Sequence, residues 1–216
     1  MFSLFYGFIQ WLFSKTEVQI LIIGLDYAGK TTLLEQMKGL YSSTAGIPLD
    51  KIPPTVGLNI GRMDVGGCRV IFWDLGGQVN LRSIWDHYYS EAQGLLFLVD
   101  AADPARFAEA RAALGTITRH SALDGVPLLV LANKMDLAEA VPVAEVNAGL
   151  GVDAIVDEGT RACRLRGASA LTLQGVKDAV GWLVGVVKAR GAAARAGGGG
   201  AGAAEPAAKP LVRRVR

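Results

Sequence analysis

Three nearly continuous apolar runs of strand length, Val18 to Ile23, Leu95 to Asp100 and Leu128 to Asn133, set the rhythm of the chain. Strands without polar alternation are buried on both faces, as parallel strands covered by helices are. Helical stretches fall between and after them, at Thr32 to Tyr41, at about 104 to 119 and at about 174 to 189. In the last of these Val176, Val180, Leu183, Val184 and Val187 make one apolar stripe. Two short strands, Val56 to Asp64 and Cys68 to Trp73, are joined by Val65-Gly66-Gly67, a hairpin signal. Ser42 to Pro54 ahead of them reads as a polar, Pro-bounded connection. This alternation of β and α, with one early antiparallel hairpin, predicts an α/β fold with a mixed, doubly wound sheet.

The two ends depart from that pattern. Met1 to Phe13 holds ten apolar residues, eight of them Phe, Tyr, Trp or Leu, and the first charge is Lys15. Ser3, Gly7, Gln10 and Ser14 recur at spacings of 4, 3 and 4, which predicts an amphipathic helix over residues 1 to 14 with one narrow polar stripe. Thirteen residues are too few to span a bilayer, which takes about 20. A secretory signal is not expected either, since a basic leader and a small-residue cleavage site are both lacking. The helix can bury against its own domain, a membrane interface or a partner protein, and its polar stripe lacks the Lys and Arg usual for lipid binding alone. Phe2 stands where N-myristoylation requires Gly, and the C-terminus has no Cys to prenylate.

The 216 residues suit one domain with appendages, and 51% hydrophobic content supports a sizeable core. The net charge of +2 hides an asymmetry: from Lys188 onward seven bases face the single acid Glu205, which leaves −4 for residues 1 to 187. Residues 189 to 208 are almost wholly Ala and Gly with scattered charge, so a disordered tail over 189 to 216 is expected after a domain spanning 15 to 188. Its basic character reads first as a solubilising end and second as weak membrane attraction; no nucleic-acid partner is expected. Cys68 and Cys163 are too few and too far apart for a disulfide framework or a metal site, as in a reducing compartment.

Chemistry enters at the strand ends. Directly after the first run, Gly24-Leu25-Asp26-Tyr27-Ala28-Gly29-Lys30-Thr31 is a GxxxxGK[ST] loop, whose backbone N–H groups and following helix cradle phosphate. Lys30 is expected to reach the β- and γ-phosphates and Thr31 to offer its hydroxyl to Mg²⁺. Asp74-Leu75-Gly76-Gly77-Gln78 ends the second hairpin strand. There Asp74 is placed to hold Mg²⁺ through water, the Gly77 N–H to bond the γ-phosphate, and Gln78 to orient an attacking water. Thr55 in Pro-Pro-Thr-Val-Gly adds a further hydroxyl for Mg²⁺. Asn133-Lys134-Met135-Asp136 discriminates between bases: Asp136 can accept from both the ring N–H and the exocyclic amine of guanine, whereas adenine would leave that carboxylate unpaired. Lys134 can lie over the base, Asn133 can tie loops together, and a backbone N–H of Ser169-Ala170 can meet the guanine carbonyl. Singly each pattern has an ordinary reading as a strand-ending turn. In order, each at a strand end, they point to a small GTPase.

The strings GLDYAGKTT, PPTVGLNI, FWDLGGQ and NKMD resemble those of the ADP-ribosylation factor family, over about Phe2 to Lys188, and most of all a Golgi-associated member. The features behind that last likeness are Phe2, the long connection before Pro53, and Leu58-Asn59-Ile60-Gly61. The resemblance implies a Ras-like fold with a six-stranded mixed sheet, and a monomer that binds GTP or GDP with Mg²⁺. It implies a nucleotide set of Asp26, Gly29, Lys30, Thr31, Thr32, Thr55, Gly77, Asn133, Lys134, Asp136, Ser169 and Ala170. Thr31, Thr55 and Asp74 are then at the metal, with Gln78 catalytic. It further implies an exchange factor, a GTPase-activating protein and effectors, in the cytoplasm and on the cytosolic face of Golgi and trans-Golgi membranes, in vesicle traffic. In this family the hairpin is retracted with GDP and the N-terminal helix docked; GTP slides the hairpin along the sheet and releases the helix to a membrane or membrane receptor. A two-residue slip preserves the face of every side chain, so alternation survives it. Unaided hydrolysis is expected to be slow, because Asp26 sets a carboxylate by the γ-phosphate and no Arg lies between Lys38 and Leu58 to act in cis. Two other readings remain at this point: a nucleotide-locked scaffold with little turnover, and an ATP-dependent P-loop kinase. Tyr27, Leu58 and Met135 depart from the family's usual residues.

Overall fold

The computed structural model describes residues 16–42 and 46–197. The helix expected over residues 1 to 14 and the basic stretch beyond 197 lie outside the described residues. Six strands form one sheet in the order β2-β3-β1-β4-β5-β6. They are β1 (Glu17–Gly24), β2 (Leu58–Val65), β3 (Cys68–Leu75), β4 (Gly94–Asp100), β5 (Leu128–Asn133) and β6 (Cys163–Gly167). All neighbours are parallel except β2 and β3, which pair antiparallel with Val65 opposite Cys68. Gly66 and Gly67 turn that hairpin with φ of 58° and 78°, the positive pair that a two-residue type I′ turn demands.

The buried strands owe their doubly apolar character to two covering layers. Along β1, Leu21 and Ile23 face one layer and Ile20 and Ile22 the other. On the first side lie α2 (Phe107–Thr118) and α3 (Val143–Leu150), through Phe107, Ala110, Leu114, Val146 and Leu150. On the second lie α1 (Lys30–Tyr41) and α5 (Val176–Gly197), and all five residues of the α5 stripe are buried there. With period-2 strands sandwiched by period-3.6 helices, the central strands β4 and β5 are buried along almost their whole length, and an apolar run is what such a position requires.

Boundaries shift where local forces win. Residues 189 to 197 were expected to be disordered, yet α5 runs on through them to Gly197. Ala has the highest helix propensity and propagation is easier than nucleation, so a helix anchored by its buried stripe continues with nothing to bury; residues 188–195 are indeed exposed. The helix expected at 104 to 119 opens with a 3-10 turn, Pro104–Arg106, because Pro favours a first turn. The sequence reading had no element for Val79–Glu91, a run of 3-10 turns, nor for α3 and α4 (Val152–Asp157), which flank the left-handed Gly151.

Candidate nucleotide site

The motifs converge at the carboxyl ends of β1, β3 and β5, with Thr55 brought in from the segment before β2. The phosphate loop leaves β1 and enters α1 at Lys30, with Gly29 at the helix N-cap. A cleft beside it is lined by Asp26, Gly29, Lys30, Thr31, Thr32, Thr55, Gly77, Gln78 and Lys134. Lys30 is 5% exposed, and its ammonium donates to the Leu25 carbonyl at 2.7 Å. Burial lowers its pKa to about 8 against the pull of the Asp74 and Asp26 carboxylates. A cation with so little water around it is poised for an anion.

Beside Lys30 three oxygens gather from three segments. The Thr31 and Thr55 hydroxyls are 2.6 Å apart, Thr31 donates to Asp74 Oδ2 at 2.7 Å, and Thr55 reaches the same oxygen at 3.3 Å. Asp74 is fully buried, and its Oδ1 has no hydrogen-bond partner. Burial raises its pKa, opposed by Thr31, Lys30 and Thr55. An orphaned carboxylate oxygen beside two hydroxyls is a hard, all-oxygen donor set, which suits Mg²⁺ completed by water and phosphate. Among the described residues there is no group of three or more His, Cys, Asp or Glu able to hold a metal. A metal here depends on these hydroxyls.

The segment after β3 is pressed onto the phosphate loop. A Cβ at Gly77 would collide with the Asp26 nitrogen, the Leu25 carbon and the Lys30 ammonium, so only Gly admits this approach. Two side chains from the 3-10 run hold the segment from behind. The Trp85 indole donates to the Gly76 carbonyl at 2.9 Å, and Arg82 Nε donates to the Gly77 carbonyl at 2.8 Å. Gln78 is half-buried on the cleft wall.

Asp26 does not stand alone, as its assigned repulsive role requires. Arg106 donates to its carboxylate at 2.6 Å and to its backbone carbonyl at 3.0 Å, and Arg82 lies 3.9 Å from the same carboxylate. Glu109 closes the ring, accepting from Arg82 at 2.6 Å and Arg106 at 3.0 Å. The carboxylate's charge is thus paired inside the protein, and repulsion of the γ-phosphate is correspondingly weakened.

At the base end Asn133 is buried and does tie loops together. Its amide donates to the Ala28 carbonyl at 2.7 Å and accepts from the Ala170 N–H at 2.8 Å. Lys134 takes a left-handed φ of 66° and pairs with Asp100 at 2.5 Å, which aims its stem along the cleft rim. Asp136 is exposed. The Ser169 N–H bonds the Gln174 carbonyl at 3.0 Å, while the Ala170 N–H is engaged by Asn133. A base carbonyl would therefore share the Ala170 N–H with Asn133.

Five residues that position the site were not singled out from sequence: Glu35, Arg82, Trp85, Arg106 and Glu109. Buried Glu35 accepts from Lys38 at 2.6 Å, from the Ile47 N–H at 2.9 Å and from Asn59 at 3.3 Å, clasping the Thr55 segment on both sides. Burial works against its ionisation, yet these donors hold its pKa below the ordinary carboxylate value. A lone Glu on a helix face carries no sequence signal. Arg82 and Glu109 are 27 residues apart and meet only in three dimensions.

Known proteins place this arrangement. A model of the ADP-ribosylation factor family matches residues 5–187. ADP-ribosylation factor-related protein 1 of Rattus norvegicus and of Homo sapiens are each 44% identical over 185 residues, covering 85% of this chain and 92% of theirs. ADP-ribosylation factor-like protein 3 of Saccharomyces cerevisiae is 40% identical over 186 residues with the same coverage. Among solved structures, the Arl6 BBS3 small GTPase from Trypanosoma brucei, with bound nucleotide analogue GppNp, is similar with a TM-score of 0.69 and 29% identity, over 81% of this chain and 99% of that one. Members of this family bind GTP or GDP with Mg²⁺ and hydrolyse GTP, which agrees with a sheet whose strand ends carry a phosphate loop and a hydroxyl-carboxylate niche. The chain belongs to the ADP-ribosylation factor family of small GTPases.

Proposed function

We propose that the chain is a membrane-recruited GTP/GDP switch regulating vesicle traffic at the Golgi, acting from the cytosolic face of Golgi and trans-Golgi membranes. The observation that carries the switch is the meeting of Thr55 and Gly77 at the phosphate loop. One comes from the segment before β2 and the other from the segment after β3, and only a terminal phosphate needs both. In this reading Lys30 binds the β- and γ-phosphates, Thr31, Thr55 and Asp74 hold Mg²⁺, and the Gly77 N–H senses the γ-phosphate. Gln78 orients the water, Asn133 braces the phosphate loop, and Lys134 covers the base that Asp136 selects. Mg²⁺ held by these residues would supply charge neutralisation to the phosphate groups. A GTPase-activating protein supplies the missing transition-state cation, and an exchange factor resets the cycle.

The membrane half of the reading rests on the aromatic stretch of residues 1 to 14 and on the similarity to ADP-ribosylation factor-related proteins. It is tested by nucleotide-dependent binding of the full-length chain to Golgi membranes and to liposomes, beside a chain lacking residues 1 to 14. GTP-dependent binding of the full chain alone is expected. Equal binding of both would sink helix-mediated recruitment, and release from Golgi membranes but not liposomes on deletion would point to a membrane receptor.

A further inference from the structure

In the ring of Asp26, Arg82, Arg106 and Glu109 only Asp26 belongs to the nucleotide set, and Arg82 is the member that also grips the segment between β3 and the 3-10 run. Its guanidinium makes two bonds in different directions: Nε to the Gly77 carbonyl at 2.8 Å, and Nη2 to Glu109 on α2 at 2.6 Å. A peptide unit is planar and trans, so its carbonyl and the following N–H point oppositely. Fixing the Gly77 carbonyl therefore fixes the peptide from which Gln78 departs. Trp85 does the same one residue earlier: by holding the Gly76 carbonyl it aims the Gly77 N–H. Two adjacent peptides, the one whose N–H is at Gly77 and the one that carries Gln78, are thus oriented from behind by side chains that lie outside the phosphate cleft's lining.

The two clamps differ in what backs them. Trp85 is buried in the apolar core and holds its carbonyl by packing. Arg82 is held electrostatically, by Glu109 and by a second carboxylate, Asp26, 3.9 Å away on the phosphate loop itself. Arg106 bridges the same two acids, so the charges cancel around the ring and neither arginine is left to compete for phosphate. Single exposed ion pairs contribute little. Here the pairs matter by geometry, because a planar fork with both bonds made has one orientation, and a Lys could keep only one of them.

We propose that Arg82 is a positioning residue for γ-phosphate sensing: braced by Glu109 on α2, it clamps the Gly77–Gln78 peptide in the closed arrangement against the phosphate loop, and so sets the preference for GTP over GDP. The proposal rests on the switch reading given above. GDP lacks the phosphate that the closed segment meets, so a clamp that acts only on closure leaves GDP affinity alone. Loss of the clamp lowers GTP affinity by the population of misoriented peptide.

The test measures affinities of full-length protein for GDP and for a non-hydrolysable GTP analogue, in wild type, Arg82→Ala, Arg82→Lys and Glu109→Ala. In Arg82→Ala the analogue's affinity is expected to fall about tenfold, in the range of one lost charge-assisted hydrogen bond, with GDP affinity within about twofold. Arg82→Lys is expected not to restore the ratio, and Glu109→Ala to lower it in the same direction by a smaller factor. Equal losses for both nucleotides would make Arg82 merely structural, and an unchanged ratio would overturn the clamp. Rescue by Lys would show that charge rather than orientation matters and would overturn it as well. Failure of the wild-type protein to prefer guanine nucleotides would instead sink the switch reading itself, so the two failures are distinguishable.

Discussion

The phosphate end and the base end of the cleft are built on opposite principles. At the phosphate end charge is held at a cost. Lys30 is buried with its pKa driven down to about 8, and Asp74 is buried with one oxygen unpartnered. At the base end the buried polar group is already satisfied: both ends of the Asn133 amide are bonded within the protein, and the carboxylate proposed to read the base, Asp136, stands exposed. Buried groups whose partners must come from the ligand make binding strong, whereas a solvated reader gives up little when the base is absent. The comparison separates groups whose partners come from the ligand from groups already satisfied within the fold, so binding and stability should be separable by substitution.

The largest expected effect is at the base end. Asp136→Asn replaces a double acceptor with a group that must turn a donor toward one of guanine's N–H groups. GTP and GDP affinity should fall by about 10⁴, the scale on which a hydrogen-bonding site rejects a mismatched ligand. Because Asp136 is exposed, the melting temperature of the nucleotide-free protein should hardly move. Nucleotide titration together with thermal unfolding checks both halves, and a large loss of stability would erase the distinction drawn here. Asn133→Ala should do the reverse. It strands the Ala28 carbonyl and the Ala170 N–H and should cost about 3 kcal/mol of stability in the nucleotide-free protein. Chemical denaturation measures that directly.

Thr31→Asn tests the phosphate end more gently. The hydroxyl that bonds Asp74 at 2.7 Å is replaced by a larger amide, and GTP affinity should drop about a hundredfold in Mg²⁺, a loss of two tenfold steps. With chelator present, wild type and variant should converge. A gap that persists without Mg²⁺ would mean that Thr31 acts through packing.

How much of this could be read from sequence follows the same division. Motif residues have fixed spacing from a strand end, and Lys30, Thr31, Asp74, Gly77 and Asn133 lie together as their positions along the chain implied. Strand composition betrayed the doubly covered sheet for the same reason, since burial on both faces leaves no room for polar residues. The residues that orient those groups carried no pattern. Glu35, Arg82, Trp85, Arg106 and Glu109 belong to no motif whose spacing would distinguish them from other acids, bases and aromatics. Their contacts with the loops depend on how α1, α2 and the 3-10 run settle on the sheet, a matter of packing rather than spacing. Asp26 shows the consequence: alone in the sequence it is a repulsive charge, but in the fold it is half of an ion pair with Arg106. Residues 189 to 197 depart from expectation for another reason: composition that cannot build a core can still extend a helix already nucleated.

The smallest predicted effect concerns pH. Burial is the main cause of the lowered Lys30 pKa, and the Asp74 and Asp26 carboxylates only partly offset it, aided in neither direction by a bound phosphate. In the nucleotide-free protein Lys30 therefore loses its proton as pH rises through about 8, while phosphate binding requires the charged form and restores it. GTP affinity should decline above pH 8 by up to about tenfold per pH unit, the limit for uptake of one proton. GMP, which lacks the β- and γ-phosphates, should show no such decline and corrects for ionisation of the base. The sign for stability is opposite. Between about pH 8 and the unfolded value of 10.5 the unfolded chain binds a proton that the folded one does not. The Lys30 contribution to nucleotide-free stability therefore rises with pH across that window. Alkaline pH should weaken the ligand's grip while relieving the cost of the buried Lys30 charge, and a parallel fall in both quantities would show that the phosphate end is not maintained at the expense of that charge.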